Sequence, residues 1–411
     1  MNILQSFPDK DTLLKWQKSQ QHNKIRKVNA HIHTPFSFSS FNNMNEIFSM
    51  CRDENISVLG INDFYTTDGY AEFYSLSLKN RVFPLFNIEF IGLLKEAQSN
   101  NIRINDPNNP GRIYFTGKGL KYPFSPEEQY RKILNEVIEE SQVQVRAMID
   151  KANKWFHHTN VKIELNYDRI KTAYAKELVR ERHIAKAIRT AIFDTYSDTD
   201  VKIKAFGNLF DGKPLKSALT DIPALENEIR GNLLKAGGKV FVEENKKSFL
   251  GLDLLIKIII NAGGIPCYPV LLDDKNGNIT EFEADFQKLC DELSAYNIAC
   301  IELIPGRNDF VSLKNFVQFF DNKEFLILFG TEHNTPDIMP LTVTARGNTP
   351  LDDELTALSY ENACVVAAHQ YLVTKNAEGY INASGHVKIS EKKAFTDLGK
   401  AVIEWYIRSE H

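Results

Sequence analysis

The sequence lacks several features that would assign a chain to a class at first sight. Its five cysteines are scattered and include no CxxC pair, so we expect neither a zinc ribbon nor a disulfide framework, and a reducing compartment suits them. No apolar run approaches the roughly 18 residues of a transmembrane helix, and the first twenty residues have no apolar signal-peptide core. These absences predict a cytoplasmic protein with no membrane partner.

The chain also lacks an excess of positive charge. Its 411 residues carry a formal net charge of -4, which gives no electrostatic basis for binding a nucleic-acid backbone, although a nucleotide-sized ligand stays open. There is no internal repeat and no low-complexity segment, and nothing in the sequence indicates an oligomeric state. The length predicts one large α/β domain with insertions, or two domains.

What the sequence does contain is a series of short apolar runs that alternate with helical patterns. The predicted strands are 27–33, 57–63, 82–90, 112–117, 263–272, 298–304 and 325–330. The helices predicted between them are 45–54, 69–79, 250–262, 283–295 and 312–322. Buried strands alternating with helices favour a parallel sheet or a (β/α) barrel. An open doubly wound sheet is the alternative.

The middle of the chain has a different pattern. Three helices are predicted there, over 125–156, 173–196 and 222–236, and a helical block of this kind is typical of an insertion or a lid. Tail helices near 353–374 and 391–407 are expected to pack on the outside of the main domain. The predicted division is therefore a first half-barrel over 1–124, a helical insertion over 125–250, a second half-barrel over 251–345 and C-terminal helices over 346–411.

Polar residues follow the predicted strands at their carboxyl ends, which form the catalytic face of a (β/α) barrel. They are His31, His33, Asp63, Glu89, Glu302, Glu332 and His333. His31 and His33 are two residues apart on one strand, so their side chains point to the same face and can share one metal ion. Imidazole nitrogens suit Zn, Mn or Fe.

These segments resemble, in order, the motifs of the PHP (polymerase and histidinol phosphatase) superfamily. The stretches that carry the resemblance are HIHTPFS, GINDFYTTDGY, NIEF, RERHIAKAI, GGIPCYP and GTEH, between residue 27 and about residue 335. The resemblance implies a distorted (β/α)7 barrel that binds two or three metal ions and hydrolyses phosphoesters.

Carried over residue by residue, the resemblance implies a set of metal ligands: His31, His33, Glu89, His183, Glu332 and His333. The chain departs from the family pattern where Phe38, Phe64 and Tyr268 replace an aspartate and two histidines, and where the histidine expected beyond Glu89 is missing. The ligands that remain imply one or two divalent ions.

The resemblance implies a phosphoesterase that uses a metal-activated water on a small phosphorylated metabolite or a nucleotide. Asp63 and His333 are the candidates for a general base. The candidate phosphate ligands are Arg112, Lys118, Arg182 and Arg307. Two alternatives stay open: a barrel that has lost its metals and keeps a binding or scaffolding role, and a metal-dependent amide or ester hydrolase.

Overall fold

The computed structural model describes residues 2–20, 24–176, 178–273 and 277–409. None of the helices in these ranges combines the length and apolar character that crossing a membrane requires.

A seven-stranded sheet, with its strands in sequence order, forms the centre of the fold. Its strands are β1 (Lys27–Ile32), β2 (Ile56–Phe64), β3 (Phe83–Leu93), β4 (Arg112–Lys118), β5 (Ile265–Val270), β6 (Cys300–Leu303) and β7 (Leu326–Phe329). Neighbouring strands are parallel except at β4, which is antiparallel to both β3 and β5. All the predicted strands are present, and a distorted TIM-like barrel is confirmed over an open doubly wound sheet.

The barrel is nearly closed where β1 meets the chain that follows β7. Ile32 forms a parallel bridge with Glu332, and the His33 N–H donates to the Glu332 carbonyl at 2.8 Å. At Gly330 an added Cβ would lie 2.3 Å from the His31 Cβ, so only glycine allows this approach. This junction between β1 and the chain after β7 therefore fixes the backbone position of both histidines of the HIH motif.

The helices surround the sheet. They are α1 (Lys10–Ser19), α2 (Met44–Glu54), α3 (Tyr70–Asn80), α4 (Lys95–Ser99), α5 (Glu128–His158), α6 (Tyr167–Tyr174), α7 (Glu181–Thr195), α8 (Thr199–Leu209), α9 (Ile222–Ile229), α10 (Leu252–Asn261), α11 (Phe286–Ala295), α12 (Phe310–Asp321), α13 (Asp353–Thr374) and α14 (Lys392–Arg408). Two short strands, Thr344–Ala345 and Thr349–Pro350, pair outside the barrel.

Adjacent residues of β6 and of β7 enter two different cores, because successive side chains of a strand point to opposite faces. Ile301 packs in the core shared with α2, α3 and α10–α12, whereas its neighbour Cys300 packs in the core shared with α13 and α14. Leu326 and Ile327 divide in the same way. The sheet thus has an outer face covered by the barrel helices and an inner face that meets α13.

Helix α13 was expected to pack on the outside of the main domain, but in the structure it is buried. Most of its residues are buried, and α14 covers it. Its side chains bond to the beginnings of strands: Gln370 Nε2 donates to the Pro84 carbonyl at 2.9 Å, and His369 Nε2 lies 2.8 Å from the Gly263 carbonyl. Helix α13 therefore closes the end of the barrel at which the parallel strands begin.

The insertion, α5 to α9, has a hydrophobic core of its own. The prediction of one helix over 173–196 was wrong, because α6 ends at Tyr174 and α7 begins at Glu181. Before α7, Leu178 packs in the outer barrel core while Val179 packs in the insertion core. This connection therefore links the two cores. The third predicted helix ends at Ile229 and continues as a π-helical turn, Arg230–Leu234.

Candidate metal centre

Three buried side chains converge at the carboxyl end of the barrel. His33 Nε2 lies 3.1 Å from Glu89 Oε2, and His31 Nε2 lies 3.4 Å from His33 Nε2 and 3.6 Å from the same Glu89 oxygen. Strand β1 and the residue after it supply the two histidines, and β3 supplies the glutamate. In the described part of the chain, these three form the one group of His, Cys, Asp or Glu side chains spaced to hold a metal ion.

The orientation of His31 is set by a buried ion pair on the other side of its ring. His31 Nδ1 lies 3.0 Å from Glu302 Oε2, and Lys118 Nζ donates to that oxygen at 2.5 Å. Thr116 Oγ1 donates to the second carboxylate oxygen at 2.9 Å. Glu302 is thus an acceptor held by three donors, so that His31 donates through Nδ1 and keeps a lone pair on Nε2.

The orientation of His33 follows from a second chain of hydrogen bonds. Asp63 accepts from the Thr34 N–H at 2.7 Å, from Thr34 Oγ1 at 2.5 Å and from Ser37 Oγ at 2.7 Å. Because the Ser37 hydroxyl proton is directed to Asp63, its oxygen is free to accept from His33 Nδ1, 3.3 Å away. The Nε2 atom of His33 therefore also carries a lone pair.

The electrostatics of the centre agree with neutral imidazole at His33. Burial lowers the pKa of His33 to about 4. Burial would raise the pKa of Glu89, but hydrogen bonding with both histidines lowers it to about 2. At His31 burial lowers the pKa and the Glu302 charge more than offsets this. The Asn62 amide, whose oxygen accepts from Lys118, donates to His31 Nε2 at 3.0 Å and opposes protonation there.

The convergence of three acceptor atoms fits a divalent metal ion. Ligand atoms around a tetrahedral metal with bonds of about 2.0–2.2 Å lie about 3.3–3.6 Å apart. The separations here are 3.1, 3.4 and 3.6 Å. Two histidines and one glutamate are also a donor set of catalytic zinc sites, which leave the fourth position open. The residues present therefore fit one ion.

The other predicted metal ligands are not part of the group whose ligand atoms are spaced to hold one ion. His183 lies in α7, where its Nδ1 accepts from the Arg180 N–H at 3.0 Å and its ring meets Phe38 edge to face. His333 uses both ring nitrogens, which lie 2.8 Å from Thr331 Oγ1 and 2.8 Å from the Met339 carbonyl. Glu332 forms an ion pair with Arg307.

The three aromatic residues that depart from the motif pattern have different surroundings. Phe64 stacks on the ring of His33 with centroids 4.9 Å apart, and Phe38 packs against His183. The Tyr268 hydroxyl donates to Glu283 at 2.7 Å, on the outer side of the sheet. Of the three, Phe64 therefore lies directly against the converging histidine pair.

A cavity of about 610 Å³ opens above the centre, between the barrel and the insertion. Its barrel wall includes His31, Glu89, Glu302, Arg307 and Glu332, and its insertion wall includes Glu181, Arg230, Lys235, Phe241 and Glu244. This volume lies in the range of small-molecule pockets.

The four predicted phosphate ligands have different surroundings. Arg112 lines the cavity and pairs with Glu244 at 3.0 Å, and Arg307 lines it beside Glu332. Lys118 is fully buried within the barrel and bonds to Glu302 and Asn62. Arg182 donates to Asn227 Oδ1 at 3.2 Å and lies over the Phe38 ring.

Sequence reasoning identified Glu302 only as a polar residue at a strand end, and it did not single out Asn62. Both face the metal centre, bound to each other through Lys118 Nζ. The available signal was an ionisable residue inside a short apolar strand, since a buried charge needs a partner of opposite sign. Glu302 in IACIELI and Lys118 in RIYFTGK satisfy that condition.

Comparison with known proteins supports the architecture. No protein-family model and no curated protein matches the chain. The fold is similar to the crystal structure of a Bifidobacterium adolescentis protein whose proposed activity is that of a metal-dependent phosphoesterase. The TM-score is 0.54 at 13% identity, over 81% of this chain and 95% of the other.

A second solved structure is an amidohydrolase from Chromobacterium violaceum with bound sulfate and no metal. It gives a TM-score of 0.48 at 15% identity, over 81% of this chain and 96% of the other. The Bifidobacterium likeness, at its low identity, shows the fold alone. The class defined up to this point is an α/β protein with a distorted TIM-like barrel and three converging metal-ligand side chains.

Proposed function

We propose that this protein is a cytoplasmic metal-dependent hydrolase of the PHP type, which holds one divalent ion at His31, His33 and Glu89 and hydrolyses a small phosphoester. The observation that carries the proposal is the meeting of three buried acceptor atoms within 3.6 Å of one another. A proton or a metal ion can lie between the members of such a group, and two imidazole nitrogens with one carboxylate are a donor set that suits a divalent transition metal.

A zinc, manganese or iron ion at this position lowers the pKa of a bound water and polarises a phosphoryl oxygen when it is present. The protein's own residues prepare the position. The Lys118–Glu302 pair fixes the His31 ring, and the Ser37–Asp63 pair fixes the His33 ring. Such partners of ligand histidines set both the tautomer and the affinity for metal.

Phosphoester hydrolysis is favoured over the other readings by the cations on the cavity wall. Arg112 and Arg307 both line the cavity above the centre, Arg112 in an ion pair with Glu244 and Arg307 in an ion pair with Glu332. Guanidinium groups bind phosphoryl oxygens in pairs of parallel hydrogen bonds. Amide or ester hydrolysis would need only the metal centre, and a scaffolding role would need neither.

Metal binding tests this proposal directly. We expect stoichiometric metal in the protein after loading with Zn or Mn, and its loss in Glu89→Gln and His33→Ala. Glu128→Gln and His157→Ala, on the exposed surface of α5, are the matched controls. Absence of stoichiometric metal from the loaded wild-type protein would overturn the enzyme reading.

The Glu89→Gln variant also separates metal binding from folding. Its neutral amide removes the interactions that hold the Glu89 pKa at about 2, so the metal-free variant should be less stable than the metal-free wild type. Loaded wild type should gain about 2.7 kcal/mol at a metal concentration of about 100 Kd, and the variant should gain nothing. A panel of phosphomonoesters, phosphodiesters, carboxylic esters and amides then separates the proposed reaction from amide or ester hydrolysis.

A further inference from the structure

The His31 ring has a carboxylate beside each of its two nitrogen atoms. Its Nε2 atom lies 3.6 Å from Glu89 Oε2, and its Nδ1 atom lies 3.0 Å from Glu302 Oε2. Among the residues that the structure describes, no lysine or arginine forms an ion pair with Glu89, whose neighbours are the two histidines. Glu302 differs from Glu89 in this respect, because a lysine ammonium lies against it.

This ammonium belongs to Lys118, which is fully buried. Its Nζ atom donates to Glu302 Oε2 at 2.5 Å and to Asn62 Oδ1 at 2.8 Å. Because the Asn62 oxygen faces the ammonium, the Asn62 NH2 group faces the ligand atoms, at 3.0 Å from His31 Nε2 and 3.4 Å from Glu89 Oε2. The centre therefore has two sides. Glu89 lies on the Nε2 side of the His31 ring, and Lys118 lies beside Glu302 on the Nδ1 side.

The two oxygen atoms that hold the ammonium are of the kind that binds a hard divalent cation. A carboxylate and an amide carbonyl are ordinary ligands of Mg, Mn and Ca ions. Glu302 lines the cavity above the centre, and the cavity gives an ion access to this position. A buried ammonium is at best a weak source of stability, because the desolvation of its charge offsets the attraction to its partner. The position of Lys118 is therefore better explained by the charge that it supplies than by folding.

We propose that Lys118 is a fixed second cation of the metal centre, whose ammonium occupies the position that a second divalent ion would take beside Glu302 and Asn62. The chain itself thereby limits the centre to one metal ion. Lys118 acts on that centre as a positioning residue, through the two oxygen atoms to which it donates. The inference rests on the proposed function for the ion on the Nε2 side of His31, whereas the cation position beside Glu302 stands on the contacts of Lys118 alone.

Two substitutions of the same residue separate the charge from the space that the side chain fills. Lys118→Met removes the charge and keeps an unbranched side chain of similar length, so it leaves no room for an ion. Lys118→Ala removes both the charge and the long side chain, so that Glu302 Oε2 and Asn62 Oδ1 face a vacant position. The third variant is Lys118→Ala/Glu302→Gln. The matched control is Lys121→Ala, since the exposed Lys121 Nζ donates to Asn376 and is not part of the centre.

The number of bound ions is the measurement, obtained by titration calorimetry with Mn and by elemental analysis of protein equilibrated with excess Mn. We expect one ion in the wild type, in Lys118→Met and in Lys121→Ala. We expect two ions in Lys118→Ala, because a second Mn ion takes the place of the ammonium. Lys118→Ala/Glu302→Gln should return to one ion, because it has no carboxylate at that position to neutralise. A lysine with a merely structural role would not change the number of ions.

Urea denaturation covers the case in which Lys118→Ala is unstable without metal. Its midpoint should rise with Mn concentration by more than that of Lys118→Met, since only the alanine variant has room for the second ion. A number of ions in Lys118→Ala that does not exceed the wild-type number would overturn the proposal. Two ions in the wild type, or an alanine variant that stays unfolded at every Mn concentration, would overturn it as well. No ion in the wild type and one in Lys118→Ala would overturn the hydrolase and leave the fixed cation intact.

Discussion

The two ends of the barrel interior have opposite character. At the amino end, Val28, Val58 and Leu326 pack with α13 in an apolar core. At the carboxyl end, the same sheet brings together buried polar side chains, namely Glu89, Glu302, Lys118, Asn62 and two histidines. We call these the apolar layer and the polar layer.

The contrast between the two layers indicates which of them stabilises the fold. Burying aliphatic side chains contributes about 25 cal/mol for each Å² removed from water. A buried ion pair at best offsets the desolvation of its charges, and replacement by apolar residues is often neutral or stabilising. Folding alone explains the apolar layer, whereas the polar layer fits the metal site proposed above.

The largest effect is expected from Lys118→Met, which leaves the charge of Glu302 buried without its ammonium partner. We expect the free energy of unfolding to fall by about 4 kcal/mol, measured by urea denaturation. Lys121→Met, which removes only an exposed hydrogen bond to Asn376, should change it by less than about 0.5 kcal/mol.

The double variant Lys118→Met/Glu302→Gln separates the charge from the packing. It removes both members of the ion pair, so it should recover most of the stability that the single change loses. If the double variant were as unstable as Lys118→Met, packing of the lysine stem would be the cause, and the contrast between the two layers would fail.

Leu326→Ala tests the apolar layer. Leu326 is fully buried, and truncation leaves a cavity against α13, so we expect a loss of about 3 kcal/mol. Metal affinity, measured by calorimetry, should stay within a factor of two of the wild-type value because no ligand or ligand partner is altered. A parallel loss of metal affinity would show that the two layers are coupled.

The strands and most helices could be predicted from the sequence because their patterns are local. The runs around His31, Asp63 and Glu89 are continuous apolar segments bounded by polar residues, and the structure has strands there. The break between α6 and α7 could not be read in this way. It depends on the contacts of Leu178 and Val179 with two different cores, which are known only after the insertion is placed.

The candidate site was partly predictable for a similar reason. His31, His33 and Glu89 follow from strand spacing and order, and the structure brings them together. The residues that orient the ligand histidines could not be predicted in this way, because Lys118 and Glu302, which form one ion pair, are 184 residues apart in the chain. The orientations of the His183 and His333 rings could not be predicted from the sequence either, because each ring forms a hydrogen bond with a backbone atom.

The smallest of the three stability effects concerns Glu283, a buried carboxylate that pairs with no cation among the residues that the structure describes, in contrast to Glu302. Glu283 accepts from the Tyr268 hydroxyl and from the N–H groups of Leu271 and Leu272. Burial nevertheless raises its pKa from 4.5 to about 7. Between these values the folded state keeps a proton that the unfolded state has released. Stability from this group is therefore present at low pH and is lost as the pH rises.

We expect the free energy of unfolding to contain a term that falls by about 2 kcal/mol between pH 5 and pH 7 and flattens above pH 7. Glu283→Gln should remove this term, whereas Glu281→Gln should not. Glu281 is half-exposed and pairs with Arg103, which holds its pKa at about 2, so it stays ionised throughout this range. Urea denaturation at several pH values measures all three proteins. If Glu283→Gln kept the pH dependence of the wild type, the three donors would be holding the Glu283 carboxylate ionised in the wild-type protein. The presence of a cation would then not be what distinguishes the polar layer.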